Sequence, residues 1–195
     1  MCSFRLFGVQ KPKEEEVQKS KGKEVQNPNE EDVWSTEVTD DDWRNAVEDA
    51  FGVKYSKDWK ILLGAPTRLK GEYSIIEGVN VIADNAFSEC EHLTYIDIPD
   101  SVTCIGDRAF HICTSLTSIN IPNNVTTVEE GVFNGCKSLT CIYIPDSVTT
   151  IDSGAFGNCN NIPSKIKSDI IKRFGKEVFE SWPLLIPSAE SAKTH

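Results

Sequence analysis

Four regularly spaced cysteines are the residues of this sequence with the most evident capacity for chemistry. They are Cys90, Cys113, Cys136 and Cys159, and each follows the one before it at the same interval. A histidine stands two residues from a cysteine in the pairs Cys90/His92 and His111/Cys113. Thiols in this arrangement could form disulfides, bind a metal ion or pack as small apolar groups with a weak S–H donor.

The spacing favours buried, reduced thiols. If the repeating units stack as coils, neighbouring cysteines lie about 4.8 Å apart with their Cβ atoms pointing the same way, whereas a disulfide needs Cβ atoms about 3.8 Å apart. There is no Cys-x-x-Cys motif, and the two Cys/His pairs lack further ligands at zinc spacing. We therefore predict a ladder of thiols in the core, with disulfides and a metal site as weaker alternatives, and expect no cofactor.

The other polar residues do not assemble a catalytic set. His92 and His111 fall at variable positions of the repeating unit, and His195 lies in the carboxyl-terminal segment, so no Ser/His/Asp or Cys/His arrangement follows from their spacing. The glycines lie at turns and helix ends rather than in a phosphate-binding loop. The sequence predicts a protein that is not an enzyme, and an enzyme of unrecognised type is kept as an alternative.

The cysteines belong to a unit that is written four times between residues 73 and 163. Its phenylalanines keep the same constant interval as the cysteines. They are Phe87, Phe110, Phe133 and Phe156. A fixed period of about 20 to 50 residues is the signature of a stacked solenoid, so each unit is predicted to form one coil.

Each unit predicts one short strand and one aromatic residue that fills the coil. In Leu93–Ile98 the apolar residues end in alternation, so Ile96 and Ile98 face one side while Asp97 faces the other. A proline follows in three of the units, where its missing N–H ends the ladder and turns the chain. The Ala-Phe step that comes later in the unit supplies the bulk of the core.

The consensus Leu-x-x-Ile-x-Ile-Pro-x-x-Val-x-x-Ile-x-x-x-Ala-Phe-x-x-Cys resembles the BspA-like leucine-rich repeat, over roughly Tyr55 to Phe179. The resemblance implies an α/β solenoid, a right-handed superhelix of four 23-residue repeats whose parallel sheet lies on the concave side. It also implies an N-terminal cap of helix and hairpin and a C-terminal helical cap. The asparagine ladder of ordinary leucine-rich repeats has no regular place here, which leaves the backbone partners at that corner open.

The residues before the repeats predict a helix and then a hairpin. Thr39 and Asp42 have the spacing of a capping box, and apolar residues at helical spacing continue to Phe51, with Gly52 as the stop. Residues 53–55 and 61–63 then flank a short polar turn, which is typical of a hairpin. These elements would cover the apolar edge of the first coil.

The repeat decays after Phe156, where a helix is predicted over residues 165–175, ending at Gly175. Val178, Phe179 and Trp182 are expected to pack beside it. The predicted domain organisation is a disordered charged tail at 1–38, an N-terminal cap at 39–72, the solenoid at 73–164, the C-terminal helical cap at 165–182 and a loose tail at 183–195.

The outward residues of the predicted strands form the candidate binding surface. In a leucine-rich-repeat stack such residues make a grid on the concave side. The grid consists of Tyr95, Asp97, Ser118, Asn120, Cys141 and Tyr143. Two tyrosines beside small polar groups suit a protein partner, because tyrosine offers amphipathic contact area at modest entropic cost. We predict a protein–protein interaction module whose partner is unknown.

Composition limits the other partners. A formal net charge of −10 argues against nucleic acid and anionic membrane surfaces, which call for basic patches. No apolar run approaches the roughly 20 residues of a membrane span. The first ten residues are too soon polar for a signal peptide, and seven cysteines suit a reducing compartment, so a cytoplasmic location is predicted. The alternative is an exported cell-surface adhesin that binds host or matrix proteins, conceivably lipid-modified at Cys2.

Overall fold

The computed structural model describes residues 38–180. The predicted charged tail, apart from Val38, lies outside these residues, as do Trp182 and the predicted loose tail. On the amino-terminal side the elements are α1 Asp40–Arg44, β1 Val47–Glu48, β2 Lys54–Tyr55, β3 Ile61–Gly64, β4 Lys70–Ser74 and β5 Val81–Ile82. They are followed by β6 His92–Asp97, β7 Cys104–Ile105, β8 Ser118–Asn120, β9 Thr127–Val128, β10 Cys141–Tyr143, β11 Thr150–Ile151, α2 Ser164–Phe174 and a 3-10 turn Glu177–Phe179.

Two rows of short parallel strands run along the stack. Strands β4, β6, β8 and β10 form one sheet, with β4 and β10 at its edges. On the other row β5 pairs with β7, and β9 pairs with β11. Every coil therefore contributes one strand to each row, which confirms the predicted parallel-sheet solenoid of 23-residue repeats.

A stack of aromatic rings fills the coils. Phe87, Phe110, Phe133 and Phe156 are all fully buried. Successive rings have centroids 5.2, 5.5 and 5.4 Å apart and are tilted by only 8°, 8° and 12°. Rings this close to parallel and at this separation are in the favourable range for aromatic pairs. The predicted assignment of the phenylalanines to the core is confirmed.

The amino-terminal cap differs from the prediction. The Thr39/Asp42 capping box is present, but the helix ends at Arg44, so the prediction that it continues to Phe51 is wrong. Val47 and Glu48 instead pair with Tyr55 and Lys54 in an antiparallel ladder. The Asp49 carboxylate accepts hydrogen bonds from the N–H groups of Phe51 and Val53. These bonds stabilise a turn that is incompatible with a continuing helix.

The predicted hairpin of residues 53–55 and 61–63 is confirmed as the antiparallel pair β2–β3. Its inner tyrosine, Tyr55, is fully buried and its hydroxyl lies 2.5 Å from the Tyr73 hydroxyl, and Tyr73 donates to Asp49 at 2.6 Å. This chain of hydrogen bonds satisfies two buried hydroxyls and fastens the cap to the first coil. Strand β3 then pairs in parallel with β5, so the cap continues the second row of strands.

The predicted carboxyl-terminal helix is present, and the residues after it add a feature of the repeat. Helix α2 spans Ser164–Phe174 and Gly175 stands at its end with φ 95°, as expected. Phe179 lies one repeat period after Phe156 and packs against it with centroids 5.8 Å apart and a tilt of 32°. Phe156 also donates its N–H to the carbonyl of Val178 at 2.8 Å. The helix therefore replaces a strand, while the aromatic corner of a fifth coil is retained.

The backbone at the aromatic corner is satisfied by a ladder between coils. The N–H groups of Phe87, Phe110 and Phe133 donate to carbonyl oxygens of the next coil at 2.7, 2.9 and 2.8 Å. Threonine hydroxyls add bonds to the preceding coil: those of Thr117 and Thr140 reach the carbonyls of Thr94 and Thr117 at 3.1 and 3.2 Å. These contacts satisfy backbone groups between successive coils at the aromatic corner and just before the strands of the four-stranded sheet.

Candidate functional site

The regularly spaced thiols are used within the core. Cys113, Cys136 and Cys159 are buried and reduced. Each donates its S–H to a phenylalanine carbonyl one coil earlier: Cys113 to Phe87 at 3.2 Å, Cys136 to Phe110 at 3.2 Å and Cys159 to Phe133 at 3.0 Å. The predicted ladder of buried thiols is confirmed, and its members form no disulfides.

Burial makes the thiols of Cys90 and Cys159 poor nucleophiles. It raises the pKa of Cys90 and of Cys159 to about 12, against an ordinary value near 9. A thiol reacts as the thiolate, so groups with such pKa values are inert at neutral pH. The ladder therefore contributes packing and weak hydrogen bonds to the core.

Neither His92 nor His111 belongs to a cluster of potential metal ligands in the described part of the chain. His92 is exposed on β6. His111 is half-buried, and burial followed by the nearby charge of Arg108 lowers its pKa. Among residues 38–180, no group of three or more potential ligands comes together.

The structure brings the six predicted grid residues together on one face of the four-stranded sheet. They occupy two rows that cross the strands. Tyr95, Ser118 and Cys141 lie in register in one row. Asn120 and Tyr143 lie in register in the other, and Asp97 of β6 precedes them in it. Because the intervening residues Ile96 and Ile119 are buried, all six project from the outward face.

The grid differs in exposure along its length. Tyr143 is 47% exposed, the largest value among the tyrosines, and Asp97 and Asn120 are exposed as well. Tyr95, Ser118 and Cys141 are half-buried. The surface thus offers one protruding ring near the β10 edge, with shallower polar positions beside it.

Strand β4 adds two positions that the sequence analysis missed. Glu72 lies opposite Tyr95, and Ser74 lies opposite Asp97, so both rows begin one strand earlier than predicted. The signal was the repeat period itself, since Glu72 and Ser74 precede Tyr95 and Asp97 by one full period. The consensus is weak there because Tyr73 stands at the isoleucine position.

The carboxylates of Glu72 and Asp97 determine the electrostatics of the grid at its β4–β6 end. Burial, followed by the charges of Asp97 and Glu72, raises the pKa of Tyr95. The phenol is therefore neutral throughout the physiological range and can donate a hydrogen bond. A neutral ring beside two carboxylates can accept a cation both by hydrogen bonding and over its face.

Comparison with known families identifies the repeat. The family model described as "BspA type Leucine rich repeat region (6 copies)" matches residues 71–185, more than half of the chain. No curated protein matches the chain. Neither helix in residues 38–180 combines the length and the apolar composition that crossing a membrane requires.

Solved structures of bacterial leucine-rich repeat proteins are similar to the same region. A leucine-rich repeat protein from Eubacterium ventriosum has 30% identity and a TM-score of 0.58, over 60% of this chain and 32% of its own. A leucine rich cell surface protein from Faecalibacterium prausnitzii has 33% identity and a TM-score of 0.52, over 60% of this chain and 30% of its own. The chain therefore spans about a third of the length of these structures.

Proposed function

Because the chain belongs to the BspA-type leucine-rich repeat family, we propose that it is a non-catalytic module that binds a protein partner through the concave face of its four-stranded sheet. The observation that carries the proposal is the registered grid, in which Tyr95 and Tyr143 stand among small polar side chains on adjoining strands. Interfaces are enriched in tyrosine, which buries a large area while ordering few torsions.

The proposal of a non-catalytic role rests on what the reactive groups do. Cys113, Cys136 and Cys159 donate their thiols to carbonyl oxygens, and burial raises the pKa values of Cys136 and Cys159. The sheet face offers neutral hydroxyls, an amide and carboxylates, which are groups suited to recognition. Labelling with thiol- and serine-directed activity probes tests this assignment, because a specific adduct on the native protein would overturn it.

Capture of the partner is the direct test of the binding surface. The full chain is immobilised, extract of the native organism is passed over it, and bound proteins are quantified by mass spectrometry. Replacing Tyr95 and Tyr143 together by alanine should abolish capture without lowering the melting temperature. The matched control is Trp59→Ala, which removes a 38% exposed ring from the cap. Unchanged capture by the double variant would overturn the concave-face assignment.

A role as an exported cell-surface adhesin is the second candidate. The observation that favours it is the similarity to the leucine rich cell surface protein of Faecalibacterium prausnitzii, at 33% identity. A cytoplasmic module is the alternative location. Fractionation of the native organism separates the two, since recovery of the protein only from the cytosol removes the adhesin, and accessibility to protease on intact cells removes the cytoplasmic module.

A further inference from the structure

A groove beside the last strand of the sheet extends the candidate surface beyond the predicted grid. It measures about 260 Å³ and lies between β10 and α2. It is lined by five apolar residues, one tyrosine, one carboxylate and one guanidinium, which are Ile142, Ile144, Ile166, Ile170, Phe174, Tyr143, Asp169 and Arg173. Sites for whole small molecules are typically about 300–1,000 Å³, so this groove has room for one or two side chains rather than for a complete ligand.

The groove exists because a helix follows the sheet where another strand would have fitted closely. Strands lie about 4.8 Å apart, whereas a helix with its side chains is about 10 Å across. Ile142 and Ile144 are consequently only half-buried, although their counterparts Ile119 and Ile121 one coil earlier are completely buried. In the preceding coil this apolar surface is buried by the next coil, but at the β10 edge it remains partly exposed.

The carboxylates around this surface outnumber the one guanidinium in the groove wall, Arg173, and have no ionic partner in the described part of the chain. Ion pairs within residues 38–180 are confined to Arg44–Asp41 and Lys54–Glu48, at the amino-terminal cap. Glu72, Asp97 and Asp169 therefore face solvent with their charges uncompensated by a salt bridge.

The cations nearest to the surface form no ion pair with its carboxylates. The Arg173 guanidinium donates to the carbonyl oxygens of Pro145 and Val148 at 2.8 Å each, and so is held against the chain. Lys70, the lysine of the four strands, lies beside His92 at the opposite end of β4 from Ser74. A ligand that brings its own positive charge would complement the surface.

Resting on the proposed function, we propose that the partner segment is an extended, cationic polypeptide that crosses the strands and seats one bulky apolar side chain in the β10–α2 groove. Its lysine or arginine residues pair with Asp97 and Asp169, and its anchor covers Ile142, Ile144 and Ile166. Tyr143 belongs to both the grid and the groove wall, so the two regions form one continuous surface.

The geometry fixes the spacing of the recognition elements. Two strand gaps separate β6 from β10, about 10 Å, and the groove lies about 5 Å further, one helix radius away. An extended chain advances about 3.3 Å per residue. The residue that pairs with Asp97 should therefore stand about four to five positions from the apolar anchor.

Selection from a phage-displayed library of random dodecapeptides on the immobilised full chain tests the inference. Enriched sequences should share a lysine or arginine about four to five positions from a leucine, phenylalanine, tryptophan or similar residue. Affinity of the selected peptides should fall as salt is raised, because exposed charges are screened beyond a Debye length of about 8 to 10 Å. Enrichment without a basic bias, or a failure to enrich any sequence, would overturn the proposal.

Matched variants locate the contact. Asp97→Asn and Asp169→Asn should each weaken a selected peptide about two- to fivefold, the range of exposed ion pairs. Ile166→Gln, in the groove wall, should weaken it about tenfold or more, whereas Ser168→Gln on the exposed side of the same helix should not. Melting temperatures of the two glutamine variants show whether α2 remains folded, and a peptide insensitive to Ile166→Gln in the folded protein contradicts the groove assignment.

The outcomes separate this inference from the proposed function. Peptides lost in the Tyr95→Ala/Tyr143→Ala variant but indifferent to Asp97→Asn, Asp169→Asn and Ile166→Gln would overturn the cationic ligand and leave the concave module standing. Peptides indifferent to the tyrosine changes would overturn both. A concentration-dependent dimer of the full chain that Ile166→Gln dissociates would also overturn the inference, because the groove would then hold a second copy.

Discussion

The thiol of Cys136 donates to the carbonyl oxygen of Phe110 across 3.2 Å, and the two residues are 26 positions apart in the chain. The bond joins adjacent coils at the point where the aromatic stack passes between them. It shows why a cysteine recurs with each phenylalanine: a small side chain with a weak donor both fills the corner and satisfies a carbonyl there. The thiol and aromatic ladders are two parts of one packing arrangement.

Truncation of an interior ring should be strongly destabilising. Phe133 is fully buried between Phe110 and Phe156, with centroids 5.5 and 5.4 Å away, so Phe133→Ala leaves a cavity that neighbouring coils cannot close. We expect a loss of about 3–5 kcal/mol in the free energy of unfolding, measured by urea denaturation. Asn123→Ala, at an exposed turn of the same coil, is the control and should change it little. Equal effects would mean that inside and outside have been misassigned.

Alkaline pH should weaken the fold through the buried thiols and phenol. Burial raises the pKa of Cys90, Cys159 and Tyr55 to about 12, above the ordinary values of 9.0 for the thiols and 10.0 for the phenol. Between those values the unfolded chain loses protons that the folded chain keeps. Stability is therefore fully present below pH 9 and falls as pH rises towards 12.

Urea denaturation at pH 8, 9, 10 and 11 measures this linkage. The free energy of unfolding should be level between pH 8 and 9 and then decline, by up to about 1.4 kcal/mol per pH unit for each titrating group. The Cys159→Ala variant supplies the matched control, since its decline above pH 9 should be shallower than that of the unchanged protein. Identical slopes for the two proteins would remove Cys159 from the effect.

The repeated part of the fold could be predicted from sequence because one rule recurs in every coil. Phe87, Phe110 and Phe133 occupy the same position of a fixed period, so an error in one unit would have been corrected by the others. Phe179 carries the same signal one period after Phe156, yet it was assigned to the helical cap because the intervening residues favour a helix. The 23-residue spacing of the phenylalanines continues to Phe179, although no strand joins the four-stranded sheet after β10. A consensus applied only at the strand positions does not reveal this continuation.

The two caps are harder to predict from the sequence because their structure depends on contacts that do not repeat along the chain. Val47 lies at helical spacing from Trp43, but it pairs with Tyr55 and becomes a strand. The competing signal was Asp49, whose carboxylate closes the turn before β2. In the same way, the six predicted grid residues lie on one face as expected, while the groove beside β10 follows from the widths of a strand and a helix rather than from any residue pattern.

A further prediction concerns the left-handed turn that every coil makes just before its cysteine. The four residues there are Glu89, Ile112, Gly135 and Asn158, with φ of 62°, 59°, 80° and 58°. A side chain in this conformation costs roughly 1–2 kcal/mol, which glycine avoids, although glycine also loses more entropy on folding. Glu89 is exposed, so Glu89→Gly should raise the free energy of unfolding by about 0.5–1 kcal/mol.

The neighbouring residue is the control for that change. Ser88→Gly adds the same flexibility at a position without a positive φ, and should lower stability. Gly135→Ala should also be destabilising, because the added Cβ would lie 3.3 Å from Ile112 and the backbone has φ 80°. Thermal denaturation ranks the three variants by melting temperature. If Glu89→Gly is no more stable than Ser88→Gly, the backbone at Glu89 is not strained.

The last prediction concerns the residue that holds α2 against the final coil. The Arg173 guanidinium donates to the carbonyl oxygens of Ile144, Pro145 and Val148 at 3.3, 2.8 and 2.8 Å, at the turn after β10 where no further coil follows. Arg173→Ala should lower the free energy of unfolding by about 1–3 kcal/mol, since these carbonyls lose a charged donor. Hydrogen exchange should show the loss first in α2 and β10, because the contact joins them and leaves the interior coils untouched.

Two further variants separate the guanidinium from charge alone. Lys172→Ala removes a cation from the adjacent, exposed position and should have little effect. Arg173→Lys keeps the charge but cannot span three carbonyls with one ammonium group, so its stability should fall between those of the alanine variant and the unchanged protein. If lysine restored full stability, the arrangement of the three bonds would be irrelevant, and the cap would be held by the apolar face of α2 through Ile170 and Phe174 alone.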